Sequence, residues 1–167
     1  MKRIEFNKSI TITAIILIVS SFSWSCKDKT DNYFEEMLKL KKYIADNNIT
    51  TQPTSSGLYY IETVAGTGER ARYGLNVSVR YKGYFFDGTV FDQNLDASIP
   101  FTFPLGYGYV ISGWDEGISY MRVGGKATLI IPSSLAYGYQ GSDGGDGGVD
   151  IPPYTTLIFE VELVGVE

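Results

Sequence analysis

The stretch TLIFEVELVGV, residues 156–166, constrains the fold of this chain more than any other. Leu157, Phe159, Val161 and Leu163 fall on one side of an extended chain and Glu160 and Glu162 on the other, until Gly165 interrupts the pattern. Successive side chains of a strand point to opposite faces, so the run predicts a strand in a sheet with one covered face. LYYIETV, NVSVRYKGYFF and KATLIIP are segments of the same kind, rich in β-branched and aromatic residues. Asp87-Gly88, between FF and TVF, is a turn signal within a hairpin. Between the strand groups lies ISGWDEGISYM, glycine-broken but long enough for about two to three helical turns, with Ser112 as its cap. The economical assembly is α+β: a curved antiparallel sheet wrapped against one short helix, with aromatic side chains lining the region between them.

Composition removes several function classes. The chain has 167 residues, 44% hydrophobic and 14% aromatic, enough for one packed domain. Its net charge of -5 argues against nucleic acid, which demands a basic footprint. There is no histidine, which removes the commonest general base and the usual nitrogen ligand of zinc. A single cysteine, Cys26, excludes a disulfide within the chain.

Residues 1–25 have the form of a secretory signal peptide: a basic head with Lys2, Arg3 and Lys8, the apolar run ITITAIILIV, then small residues. Cys26 at its end resembles the lipidated cysteine of bacterial lipoproteins; a stray thiol after an ordinary leader is the alternative. Residues 26–30 then read as a polar tether. A helix follows in 31–56, with Asp31 as N-cap, acids early and lysines late, and Phe34, Met37, Leu38 and Ile44 on its apolar face. Docking of that face on the domain is the usual outcome, and pairing with a second copy the other. A linker around Pro53 leads into the domain at 57–167.

VRYKGYFFDGTVFDQN, PFTFPLG, VISGWDEGISYMRVGGKATLIIP, LAYG and IPPYTTLIFEVELVGVE follow one another in the order and near the spacing of the FKBP-type peptidyl-prolyl cis-trans isomerases. The resemblance covers 57–167 and implies the family's fold and its activity, rotation of X-Pro bonds in exported or envelope proteins. It further implies a pocket with Trp114 as floor and Tyr81, Phe91, Phe101 and Phe159 as walls. Val110 and Ile111 would form the rim, with the Ile111 N–H donating to a substrate carbonyl. Tyr137 would donate its hydroxyl to another, and Ile151 would add an apolar contact. Asp92 matches the family's buried carboxylate, which hydrogen-bonds the tyrosine matched by Tyr81; capping a turn beside Gln93 and Asn94 is its alternative. No cofactor or metal is implied. The implied partners are proline-containing polypeptides and macrolide-type inhibitors. With Cys26, the implied location is a bacterial envelope, lipid-anchored in the outer membrane. An envelope chaperone or proline-segment binding module with little catalysis is the alternative function.

YGYQGSDGGDGGVDIPPY, residues 137–154, joins Tyr137 to Ile151 and reads as a flap at this pocket, whose glycines predict mobility. A phosphate loop does not fit, since Ile-Pro-Pro follows in place of Lys-Ser/Thr and a helix. Asp143, Asp146 and Asp150 offer oxygens to calcium, but the spacing of an EF-hand and its closing Glu are absent.

Overall fold

A computed structural model of the chain describes residues 29–96, 98–144 and 148–167. Within them, helix α1 (29–46) precedes strands β1 (Tyr59–Val64), β2 (Asn76–Tyr84), β3 (Val90–Asn94) and β4 (Phe101–Pro104). Helix α2 (Ser112–Ser119), β5 (Lys126–Ile131) and β6 (Leu157–Val166) complete the order. All pairings are antiparallel and the sheet runs β1-β5-β6-β2-β3. β3 and β4 share one edge of β2: Val79 faces Phe101, and two residues on Tyr81 faces Asn94. Extra residues in β1, β3 and β6, where the pairings with β5 and β2 shift register, bend the sheet, as bulges do. The predicted hairpin turn is in place, with the Thr89 N–H donating to Asp87 Oδ1 at 2.9 Å and Gly88 at φ +86°.

Two expectations are refined along the strands. β6 continues through Gly165 to Val166, with Val164 as the extra residue of a bulge in β6 itself, since Gly165 pairs with Ser78 and Leu163 with Val79. The segment FTFP, not read as a strand from the sequence, is β4.

The sheet's inner face packs against α2. Val77, Val79, Leu129, Leu157, Val161 and Leu163 are fully or almost fully buried there with Ile118 and Trp114. α2 sits flush on β5 because its glycines fall four residues apart, on one helical face. A Cβ on Gly113 would stand 2.4 Å from Ile131 Cγ2, and one on Gly117 would stand 2.7 Å from Leu129 Cδ2. The glycines that make this segment look broken are therefore what lets it pack. Its N-cap is Ile111 and not Ser112; the Ser112 hydroxyl donates instead to the Leu135 carbonyl at 3.1 Å.

The outer face is covered in part as well, contrary to the expectation of one covered face. Ile130 and Ile158 point outward and are buried with Leu40 of α1, flanked by Met37, Tyr43 and Ile44. α1 thus docks on its own domain as expected, through a face that includes Met37 and Ile44 of the predicted four residues but leaves out Phe34 and Leu38. Phe34 and Leu38 are 62% and 50% exposed, while Glu36 and Leu40 are buried. Lys29 and Thr30, read as tether, are already helical, so Asp31 lies inside the helix and does not cap it.

Candidate active site

Seven elements or loops converge on a cavity of about 190 Å³ at one end of the inner face. Its lining is Tyr81 from β2, Asp92 from β3, Phe101 from β4, Tyr109, Val110 and Ile111 from the loop before α2, Trp114 from α2, Tyr137 from the flap, and Phe159 from β6. Cavities that take whole drug-sized ligands run to roughly 300–1,000 Å³, so this one has the size to seat a single ring.

Trp114, 4% exposed, is the hub. Tyr81, Phe159 and Phe101 meet it edge-on with centroids at 4.9, 5.1 and 6.2 Å, and Phe103 supports it at 6.0 Å. Such edge-to-face contacts lock ring orientations, each adding about 0.5–1.5 kcal/mol beyond burial. Gly83 makes the cluster possible: a Cβ there would stand 2.7 Å from both Phe159 and Phe91 ring atoms.

Two hydroxyls and two N–H groups supply the polar equipment. Tyr81 donates to Asp92 Oδ2 at 2.8 Å. Burial first, and then this hydrogen bond, push the Tyr81 pKa well above its ordinary value of 10, so the hydroxyl stays protonated. Tyr137 is likewise raised, by burial and then by the charge of Asp92. Among the described residues no acceptor meets Trp114 Nε1 or the N–H of Ile111, the residue that caps α2. Asp115, next to Trp114, accepts from the N–H groups of Gly106 at 2.8 Å and Gly108 at 3.2 Å, which ties the Tyr109–Ile111 wall to α2.

Eight of the ten pocket residues expected from sequence line the cavity. Phe91 does not; it stands behind Phe159 at 5.4 Å and braces that wall. Ile151 is also absent from the lining, being buried in the core where it pairs with Ser142 across the flap. Asp92 is exposed, not buried, because β3 lies at the sheet edge; it accepts from Tyr81 rather than capping a turn. Tyr109 and Asp115 were not anticipated. The only hint was an aromatic in GYGYV and a second acid in SGWDEG.

The flap is tied at its stems. Ser142 and Ile151 exchange backbone hydrogen bonds of 2.9 and 2.8 Å, Tyr154 N–H donates to the Gly138 carbonyl at 2.9 Å, and Asp150 accepts from Gly144 N–H at 3.0 Å. Asp146 lies outside the described residues, as do Cys26 and the leader at 1–25. Among the described residues no three acids or thiols are grouped to hold a metal ion, and no helix is long and apolar enough to cross a membrane. A larger hollow of about 480 Å³ lies across the outer face. Charged side chains including Arg80, Lys126 and Glu162 line it, and Glu162 pairs with both bases at 3.4 and 3.6 Å, which marks a solvated face.

Residues 67–164 match the family model of the FKBP-type peptidyl-prolyl cis-trans isomerases. The chain belongs to that family. This FKBP is 48% identical over 110 residues to an FK506-binding protein of Neisseria meningitidis serogroup B, a match spanning 66% of this chain and 96% of the relative. It is 38% identical over 141 residues to the FKBP-type isomerase FkpA of Escherichia coli, spanning 84% of this chain and 48% of that one. The crystal structure of Escherichia coli FkpA superposes with a TM-score of 0.69 at 34% identity, over 99% of this FKBP and 75% of FkpA.

Proposed function

We propose that the aromatic cavity is where this isomerase rotates X-Pro bonds. The observation that carries the reading is the convergence of Tyr81, Phe101, Trp114 and Phe159 with the Tyr137 hydroxyl around a space the size of one ring. An X-Pro amide resists rotation by about 18–20 kcal/mol because resonance keeps it planar, while its cis and trans forms lie within about 1 kcal/mol. No nucleophile, base or metal is needed to lower that barrier. The planar amide has the larger charge separation, so a cavity walled by rings and stripped of water disfavours it relative to the twisted state. Trp114 and Phe159 take the proline ring. The Ile111 N–H and the Tyr137 hydroxyl hold the carbonyls on either side, so that the bond between them turns while its flanks stay fixed. Tyr81, oriented by Asp92, keeps its dipole directed into the site.

Proline-exchange spectroscopy on an X-Pro peptide checks this. Wild type should accelerate exchange. Tyr137→Phe, lacking one donor worth about 0.5–1.5 kcal/mol, should lose up to about tenfold in kcat/KM. Trp114→Ala should lose more and should also lose affinity for a macrolide inhibitor. Exchange at the uncatalysed rate in wild type would sink the proposal and leave the second reading, a binding module for exposed proline segments. Tyr109, 74% exposed where it lines the cavity, favours such holding and would extend the grip on a bound chain.

The substrates of this reading are exported or envelope proteins, reached by a chain anchored through lipid at Cys26 in the outer membrane. The leader-like 1–25 and the cysteine that follows it support that location. Radioactive fatty acid should label wild type and spare Cys26→Ser; equal labelling of both excludes the anchor.

A further inference from the structure

Glu36 lies in α1, beyond the outer face of the sheet, yet every side-chain hydrogen bond it makes goes to the segment that carries Tyr137. The residue is 3% exposed. Its Oε1 accepts from the Ser133 N–H at 2.7 Å and the Thr156 hydroxyl at 2.7 Å, and its Oε2 accepts from the Ser133 hydroxyl at 2.5 Å. Ser133 stands near the start of the connection from β5 to β6 that carries the flap, and Thr156 is its last residue before β6. One carboxylate therefore holds both ends of that connection together.

Docking of α1 does not require this group. Leu40, Met37 and Ile44 bury against Ile130 and Ile158 and supply the apolar contact on their own. An acid at a buried position is unfavourable unless its oxygens are bonded, so an apolar side chain at 36 would be the simpler means of attaching a helix.

From Ser133 the constraint passes to the site through short steps. The Ser133 carbonyl accepts from the N–H groups of Ala136 and Gly138, both at 2.9 Å, and these are the two neighbours of Tyr137. Gly138 in turn accepts from Tyr154, near the other stem. α1 touches the flap once more through Lys29, whose ammonium sits 4.6 Å from the centre of the Tyr139 ring.

We propose that Glu36 is a positioning residue of the proline site, and α1 a brace that sets Tyr137 from the far side of the sheet. The proposal rests on the reading of the cavity given above. Its test uses the full chain with Glu36→Ala, and Leu40→Ala as a control that trims the apolar packing of α1 while leaving the Glu36 carboxylate and its three donors in place. Glu36→Ala should lower kcat/KM about three- to tenfold, as expected for a displaced hydrogen-bond donor, and speed amide exchange at Ala136 and Gly138. Leu40→Ala, folded at the same temperature, should stay within about twofold of wild type on both readouts. In a Tyr137→Phe background the loss from Glu36→Ala should shrink, because the hydroxyl being positioned is gone. Unchanged rate and exchange in Glu36→Ala, or equal effects in both variants, or full additivity with Tyr137→Phe, would overturn the brace. A wild type that does not accelerate proline exchange defeats the reading of the cavity instead, and amide exchange at Ala136 and Gly138 then still decides whether Glu36 clamps the flap.

Discussion

Tyr81 and Tyr137 present hydroxyls to one cavity beside one carboxylate, and their surroundings decide which protonation state they keep. Both pKa values are raised, so both side chains remain donors well past neutrality. With no histidine in the chain, kcat/KM should be flat from about pH 6 to 9. Stability responds later and with a definite sign. A tyrosine whose folded pKa is raised holds its proton longer in the native state than in the unfolded one. Its contribution is complete below the ordinary value of about 10 and is lost as pH climbs through the folded value. The urea midpoint should therefore be lower at pH 11 than at pH 8, and an equal or higher midpoint at pH 11 would contradict these environments. At this scale Trp114, Tyr81, Phe101 and Phe159 were legible through the match of their motif fragments to the family and not through periodicity, since the segment around Phe101 carried no strand signal. Tyr109 and Asp115 were not, since a glycine-rich loop has no period and its hydrogen bonds to Asp115 link residues through backbone groups that carry no sequence signal.

Helix α2 shows how an element can be misjudged by propensity. Replacing a helical glycine with alanine ordinarily stabilises by about 0.5–1 kcal/mol. At Gly113 the added methyl would lie 2.4 Å from the branched Cγ2 of Ile131, itself fully buried and unable to turn away. Overpacking of this sort costs typically 1–3 kcal/mol, which exceeds the propensity gain. Gly113→Ala should thus unfold at lower urea than wild type; a higher midpoint would mean that the helix stands off the sheet. α1 teaches the converse. Its existence was plain from the sequence, but its buried face was assigned by apolarity, to Phe34 and Leu38 among others. The face that docks includes Glu36, and only the distant donors of Ser133 and Thr156 make an acid acceptable there. Ile130 and Ile158, apolar residues on the nominally wet side of their strands, were the sequence's evidence that something covers that side.

At the scale of the molecule, the alternation of TLIFEVELVGV led correctly to a curved sheet against one helix, and the FkpA structure superposes on the fold with a TM-score of 0.69. What alternation does not convey is strand order. β6 lies at the middle of the sheet, paired with β5 on one side and β2 on the other. It is also the last of the six strands in the chain. Until it arrives, β1 with β5 and β2 with β3 and β4 are two separate ribbons with no shared edge, and Phe159, a wall of the cavity, is missing. Contacts of such long sequence separation are slow to form and depend on chain that emerges last. A chain threading through a narrow export channel from its N-terminus would consequently stay unfolded, and able to pass, until its final strand was released on the far side.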